Sequence, residues 1–407
     1  MSGVVIIGAG HAGSQLAVSL RAEGYAGAVT LVDAADVLPY HKPPLSKTFL
    51  KDPAAQPQPL RAASAYEAAG VTRIAARVDA IDTAARRVKL GGRALDGQAL
   101  AYDDLVLATG ARNRMLPELA GAENVHSLRD LADAEGLRAA LGGADRITVI
   151  GGGFIGLESA AALAAMGKAV TVLEAAPRVL ARVAAAETSA RVQAALADLG
   201  VTVRTGYMAQ GYRRDGARVT AVTGADADIA CDLILVGIGA QADTALARAA
   251  GIACHQGILT DGHLRSSAPH VWAIGDVAET PHWQAGAAPL RVESVQNATD
   301  QARHLARHLA GQDVDGFRTV PWFWSDIGPL KLQIAGLALH ADRQVVRADG
   351  ARLAVFHLAG ERLVSVETLN SPADHMIARQ LLDAGLTPPE TAMQDGAAAL
   401  KAWLAQA

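Results

Sequence analysis

Two glycine fingerprints, each set between a β-branched run and an alanine-rich stretch, restrict what this chain can fold into. The first is Gly8-Ala9-Gly10-His11-Ala12-Gly13, directly after Val4-Val5-Ile6-Ile7. The second is Gly151-Gly152-Gly153-Phe154-Ile155-Gly156, directly after Ile147-Thr148-Val149-Ile150. In a strand–turn–helix unit of this spacing, the first glycine makes the tight turn and the second lets a pyrophosphate approach the backbone. The third lets helix and strand pack closely. The helix N-terminus then faces the phosphates with free N–H groups and a favourable dipole. An acid suited to a ribose hydroxyl follows in both, Asp33 after a strand at 28–32 and Glu174 after a strand at 169–173. One such fingerprint is a weak signal. Two, each with strand, helix and acid in place, predict two dinucleotide-binding units, between which a hydride or electrons would pass.

A length of 407 residues exceeds one compact core and predicts two or three domains. The first unit continues with a helix over 12–23 and a strand over 29–32. Next comes an irregular stretch, 36–59, holding six of the sixteen prolines, Pro39, Pro43, Pro44, Pro53, Pro57 and Pro59. A proline-dense loop beside a nucleotide fold is more often functional than linker. Strands follow at 86–90 and at 104–108, the latter running into Thr109-Gly110. The second unit starts near Arg146, includes a helix over 185–199, and ends with the apolar run 233–238. After Gly239 a strand at 271–274 leads to Gly275-Asp276, and a helix covers Val295–Leu309. From Val320 the texture changes to Trp322 and Trp324, strands at 330–334, 344–347, 353–357 and 363–369, and a helix over 373–384. The expected fold is α/β, with two Rossmann-like dinucleotide-binding domains, the second inserted in the first, plus a C-terminal α+β domain. The boundaries are 1–112 with 240–319, then 113–239, then 320–407.

Composition excludes several classes. A net charge of −4 argues against nucleic-acid binding. Cys231 and Cys254 form no C-x-x-C pair and no disulfide framework, which fits packed thiols in a reducing cytoplasm. The apolar N-terminal run lacks a basic region and is broken by glycines, so it is not read as a signal peptide. No apolar run reaches membrane-spanning length. His304 and His308 have the spacing of two metal ligands on a helix. No Glu follows the first, and Arg303 and Arg307 interleave, so no metal is expected. Glu174 is followed by Ala175 and Ala176, with no cation for a 2′-phosphate, which favours NADH over NADPH. Arg178 and Arg182, further on, are taken as exposed loop charges.

Several further runs occur in a fixed order: Lys42-Pro43-Pro44-Leu45-Ser46-Lys47, Ala108-Thr109-Gly110, Gly237-Ile238-Gly239, Ala273-Ile274-Gly275-Asp276, Arg291-Val292-Glu293-Ser294 and Pro321-Trp322-Phe323-Trp324-Ser325-Asp326. With both fingerprints they resemble the NADH-dependent ferredoxin reductases of bacterial oxygenase systems, the putidaredoxin reductase type, over nearly the whole chain. The resemblance implies FAD in the first domain, NADH in the second, and single electrons passed to a 2Fe–2S ferredoxin that feeds a haem-thiolate or Rieske oxygenase. It implies FAD contacts at Gly8, Gly10, Gly13, Asp33, Lys42, Lys47, Thr109, Gly110, Asp276, Glu293, Ser294, Val295 and Trp324. NADH contacts are implied at Gly151, Gly153, Phe154, Ile155, Gly156, Glu174, Gly237, Ile238 and Gly239.

By the same resemblance Lys47 sits beside flavin N5 and pairs with Glu158; the plain alternative is a surface lysine and a helix-face glutamate. Asp276 would accept from a ribityl hydroxyl, or else cap a following helix. Trp322 or Trp324 would lie near the flavin, or else anchor the C-terminal core. The N-terminus of the helix after Val292 would favour negative charge at the flavin pyrimidine. Arg303 and Arg307, with Lys331, are candidate docking residues for an acidic ferredoxin, against a solvated helix face. Two departures stand out: Lys42 where the family often has Arg, and Ile327-Gly328-Pro329 where it commonly has Gln after Asp326. Rival functions on the same scaffold are a flavin-dependent NADH oxidase or disulfide reductase, and a redox-sensing FAD/NAD-binding interaction protein. The former needs a thiol that Pro43–Lys47 does not contain. Expected location is cytoplasmic, without membrane or nucleic acid, with monomer or weak dimer left open.

Overall fold

Val4–Ile7 and Arg146–Ile150 are the middle strands of two five-stranded sheets, each parallel throughout. The computed structural model describes residues 3–91, 97–225 and 227–407. These divide into two units: 3–41, 58–91, 97–112 and 241–321 in one, 42–57, 113–225, 227–240 and 322–407 in the other.

In the first unit the strand order is Val271–Ala273, Asp104–Leu107, Val4–Ile7, Val29–Asp33, Val71–Ala75. Alternate side chains of the middle strand enter different cores. Val4 and Ile6 pack with Leu16 and Leu20 of the helix His11–Ala22 and with Ala302 and Leu305 of the helix Val295–Leu309. Val5 and Ile7 pack on the other side with Val88 and Leu90 of a small antiparallel sheet. Burial on both faces explains why these strands are unbroken apolar runs instead of alternating ones.

The second unit contains the sheet Thr202–Thr205, Ala169–Glu174, Arg146–Ile150, Leu233–Val236, Val125–His126. It also contains an antiparallel sheet in the order Trp322–Ile327, Leu330–Gly336, Arg362–Leu369, Arg352–Ala359, Arg343–Asp349. Residues Lys42–Pro57 group here, away from their sequence neighbours. The Arg138 guanidinium lies 4.2 Å over the Phe49 ring and donates to the Ala55 carbonyl.

The helix Val295–Leu309 has its expected span, and the helix expected at 185–199 is shorter by one residue at each end, Ala186–Asp198. One strand precedes those expected in the C-terminal region: Trp322–Ile327 pairs with Leu330–Gly336 as a hairpin. The departure Ile327-Gly328-Pro329 is its turn. Gly328 has φ +57°, and a proline next to it suits a two-residue turn that needs a left-handed first residue. Arg178 is no loose surface charge, since it donates to the carbonyls of Ala181 and Ala184 and to the Ser189 hydroxyl. Among the described residues no helix is long and apolar enough to cross a membrane, and no group of three or more His, Cys, Asp or Glu side chains is placed to hold a metal.

Three histidines are held neutral by burial. His282, His304 and His375 have pKa values lowered to about 4, with desolvation the largest cause in each. Neither ring nitrogen of His375 meets a protein partner. Each unfolded imidazole takes up a proton near pH 6.5, while its folded counterpart resists down to about pH 4. Stability is therefore complete above about pH 6.5 and is lost progressively as the pH falls towards 4. Melting temperatures should fall between pH 7.5 and pH 5, and His375→Leu should flatten that slope. An equal slope in the variant would show that His375 titrates normally.

Candidate functional site

At the carboxyl edge of the first parallel sheet, the three fingerprint glycines meet three different surroundings. Gly8 turns at φ +102°, and a Cβ there would lie 2.3 Å from the Ala108 carbonyl oxygen of the adjacent strand's end. A Cβ on Gly13 would lie 1.9 Å from the Gly8 carbonyl oxygen. A Cβ on Gly10 would meet nothing within 4 Å, so its side of the turn is open. Asp33 closes the cradle, accepting from the Ala9 amide at 2.5 Å on Oδ2 and from the Ala35 amide at 2.9 Å on Oδ1.

Around this turn stand other predicted residues. Thr109 donates its hydroxyl to the Asp243 carbonyl, and Gly110 accepts from the Asp243 amide. The Gly275 amide donates to Gln301 Oε1 at 2.7 Å, and a Cβ on Gly275 would sit 2.9 Å from the Ala12 methyl group. Asp276 is therefore set close to the fingerprint helix, inside a three-residue turn, Gly275–Val277, and not ahead of a helix it could cap. Arg291 donates to the Asp276 carbonyl and pairs with Glu293. The Ser294 hydroxyl accepts from the Asn297 amide and so caps the helix that starts at Val295. Sequence reasoning missed Arg291 and Gln301 as organisers of this edge, because their partners lie 15 and 26 residues away.

The second sheet repeats the construction. Gly151 turns at φ +111° with its Cβ position 2.4 Å from the Gly237 carbonyl oxygen, and Gly156 would meet the Gly151 carbonyl oxygen at 2.4 Å. Gly153 has only Gly237 O, at 3.8 Å. Glu174 accepts from the Gly152 amide at 2.6 Å and from the Ala176 amide at 2.7 Å. Ile155, just inside the helix Phe154–Ala165, is exposed, and Phe154 packs edge-on to Phe323, 4.4 Å between centroids. Gly239 and Ile238 end the neighbouring strand's turn, where an Arg182 nitrogen lies 3.9 Å from the Cβ position of Gly239. In both units the open glycine, the helix N-terminus and the strand-end acid fit a dinucleotide.

Deeper in the second unit, the pair expected from sequence is formed. Lys47 Nζ lies 2.7 Å from Glu158 Oε2, with the lysine side chain 20% exposed and the glutamate 4%. The carboxylate also takes the hydroxyls of Ser46 and Ser325 and the Asp326 amide. This is a buried cluster, not a helix-face glutamate beside a surface lysine. Lys42 precedes it at the start of the short turn Pro43–Ser46. Trp324 and Trp322 project from one side of their strand, 5.6 Å apart, and Trp322 sits under Arg379 and against His375. Both tryptophans stay half-buried. Arg303 and Arg307 are exposed, Arg303 paired with Asp300 one turn away; Lys331 is exposed in the other unit.

Comparison with known proteins agrees with this geometry. The profile of the family described as pyridine nucleotide-disulphide oxidoreductase matches residues 2–302, and that described as reductase C-terminal matches 322–404. Rhodocoxin reductase of Rhodococcus erythropolis is 41% identical over 96% of this chain and 92% of its own. Putidaredoxin reductase of Pseudomonas putida is 40% identical over 99% and 97%. The crystal structure of a covalent putidaredoxin reductase–putidaredoxin complex superposes with a TM-score of 0.93 at 38% identity, covering 100% of this chain and 99% of that one.

The glycine surroundings separate folding from binding. Gly13→Ala should destabilise strongly, because backbone atoms block the methyl group. Gly10→Ala should leave the melting temperature of cofactor-stripped protein nearly unchanged while weakening dinucleotide retention by about tenfold or more. Retention equal to wild type in Gly10→Ala would place the pyrophosphate elsewhere.

Proposed function

We propose, for a chain that belongs to the pyridine nucleotide-disulphide oxidoreductase family, that it is an FAD-containing NADH:ferredoxin reductase. It would take a hydride from NADH and deliver single electrons to a 2Fe–2S ferredoxin serving a haem-thiolate or Rieske oxygenase. The observation that carries this reading is the same dinucleotide cradle built twice on one chain that offers no redox thiol beside it. The relatives named for rhodocoxin and putidaredoxin support the choice of acceptor. Burial pushes the Cys231 thiol up to about 11 and also raises that of Cys254, which makes both poor nucleophiles, and Lys42–Lys47 contains no cysteine. A disulfide reductase is thereby disfavoured. Two free cysteines also suit a cytoplasmic location.

When bound, the cofactors supply the chemistry, hydride from the nicotinamide and two-electron to one-electron conversion at the flavin. The chain supplies binding and charge. In this reading the unit with Gly8, Gly10, Gly13 and Asp33 holds FAD, with Thr109, Gly110 and Asp276 along the same edge. The helix at Val295 presents its positive end, and Glu293 and Ser294 complete the contacts. Gly151, Gly153, Gly156 and Glu174 hold NADH, with Phe154, Ile155 and Gly237–Gly239 beside them, and Arg182 offers a cation to its charged part. In the second unit Lys47 is the cation, and Glu158 holds it. Glu174 repels a 2′-phosphate, while Arg178 is spent on backbone carbonyls and cannot bind one.

Two tests follow from these assignments. Purified protein should contain one FAD and reduce ferricyanide with NADH about 100-fold more efficiently than with NADPH, a difference of about 2.7 kcal/mol. Equal efficiency would refute the assignment of Glu174, and absence of turnover with a 2Fe–2S ferredoxin would favour a sensing protein. Reversing Arg303 and Arg307 to Glu should raise the KM for ferredoxin and leave ferricyanide reduction intact, with ferredoxin turnover falling as salt rises. Unaltered ferredoxin kinetics would move the dock towards Lys331.

A further inference from the structure

Glu158 has more donors than an ion pair needs. Oε2 meets Lys47 Nζ at 2.7 Å and accepts the Ser46 hydroxyl at 2.6 Å; Oε1 accepts the Ser325 hydroxyl at 2.7 Å and the Asp326 amide at 3.2 Å. Both hydroxyls are fully buried, and they come from segments 112 and 167 residues away. Ser46 ends the proline-rich turn, and Ser325 lies in the edge strand Trp322–Ile327. Lys47 differs from its neighbours. Its ammonium is partly exposed on a flexible stem and has a second acceptor, the Pro43 carbonyl, at 3.2 Å.

Taking the cation out of a buried ion pair ordinarily leaves a bare charge in a low-dielectric interior, which is strongly unfavourable. Here two hydroxyls and an amide stay behind on the carboxylate, and hydrogen bonds to an ionised acceptor are the strong kind. The departure of Lys47 is correspondingly less unfavourable.

We propose that Ser46 and Ser325 are positioning residues that hold Glu158 and compensate its charge when Lys47 leaves it, freeing the lysine to meet negative charge arriving with the cofactors. The nature of that arriving charge rests on the function proposed above; the network on Glu158 does not. If the serines instead only fill space, charge on Glu158 is irrelevant to them.

Melting temperatures of the purified holoprotein decide between these. Lys47→Ala and the pair Ser46→Ala/Ser325→Ala should each lower the melting temperature only slightly. Combined, they should lower it by about 5 °C or more beyond the sum, since Glu158 then loses every side-chain donor. Adding Glu158→Gln to the triple variant should restore most of that loss, because a neutral amide needs no cation. Restoring Ser325 alone should recover part of it. Additive losses, or no rescue by Glu158→Gln, would overturn the proposal. A second arm reads Lys47 itself: an amine-reactive reagent should label it about fivefold more slowly in Ser46→Ala/Ser325→Ala than in wild type, as the lysine becomes the main donor left. Unchanged or faster labelling would also overturn it. Neither arm needs turnover, so a wild-type protein inactive with NADH would defeat the functional reading and leave these outcomes to judge the serines.

Discussion

A parallel strand covered on both faces has no side on which a polar ligand group could be placed. Val4, Val5, Ile6 and Ile7 are all buried, as are Ile147, Thr148, Val149 and Ile150. Ligand-binding groups on these strands therefore collect beyond their ends, and the carboxyl ends are where the predicted glycines and acids fall. Gly8, Thr109 and Asp276 follow three strands of the first sheet and Asp33 ends a fourth; Gly151 and Gly237 follow two strands of the second and Glu174 ends a third. In each sheet the strand order reverses direction beside the middle strand, next to Asp104–Leu107 in one and Leu233–Val236 in the other. The crevice at such a reversal is where α/β sheets take ligands. The close approaches Gly8 to Ala108 and Gly151 to Gly237 lie at those two reversals.

Against this background Glu158 is unusual, because it is a charge buried within the helix that follows a fingerprint. A helix otherwise lined with Leu157, Ala160, Ala161 and Leu163 packs on apolar neighbours, and an unpaired carboxylate there would be very unfavourable. Its donors come from the proline-rich turn and from the C-terminal antiparallel sheet. One side chain thus ties together three stretches of the second unit that are remote in sequence. The grouping of Lys42–Pro57 with that unit has the same physical origin, aided by Arg138 on Phe49.

Local patterns were the readable part of this chain. The continuous apolar strands, the glycine turns and their strand-end acids, and the helix Val295–Leu309 each leave their signature within about twenty residues. So did Lys47 and Glu158, but only through motif resemblance, since no spacing rule joins them. What stayed hidden depends on meetings across long separations. Ser46 and Ser325 are ordinary residues until a carboxylate faces both. Arg178 looks like a loop charge until the chain folds its own carbonyls around it. The strand at Trp322–Ile327 lacked the alternation of a half-buried strand, because Trp322, Phe323 and Trp324 are all partly buried and give no period.

The two cradles differ by one methylene, and the difference is matched inside each turn. Where the first fingerprint has Ala9, its acid is the shorter Asp33, which still reaches the Ala9 amide at 2.5 Å. Where the second has Gly152, the acid is the longer Glu174, reaching the Gly152 amide at 2.6 Å. A methyl group on Gly152 would lie 2.9 Å from Glu174 Oε2 and 3.0 Å from Val179 Cγ1, so the room that Ala9 uses is already taken. The acid is thus a structural part of the turn as well as a candidate ribose ligand. In both units its two oxygens hold one amide of the glycine turn and one just after the strand, and such preorganisation lowers the ordering penalty of binding. A change of nucleotide preference at Glu174 would have to supply a new acceptor for the Gly152 and Ala176 amides together with a cation for the phosphate.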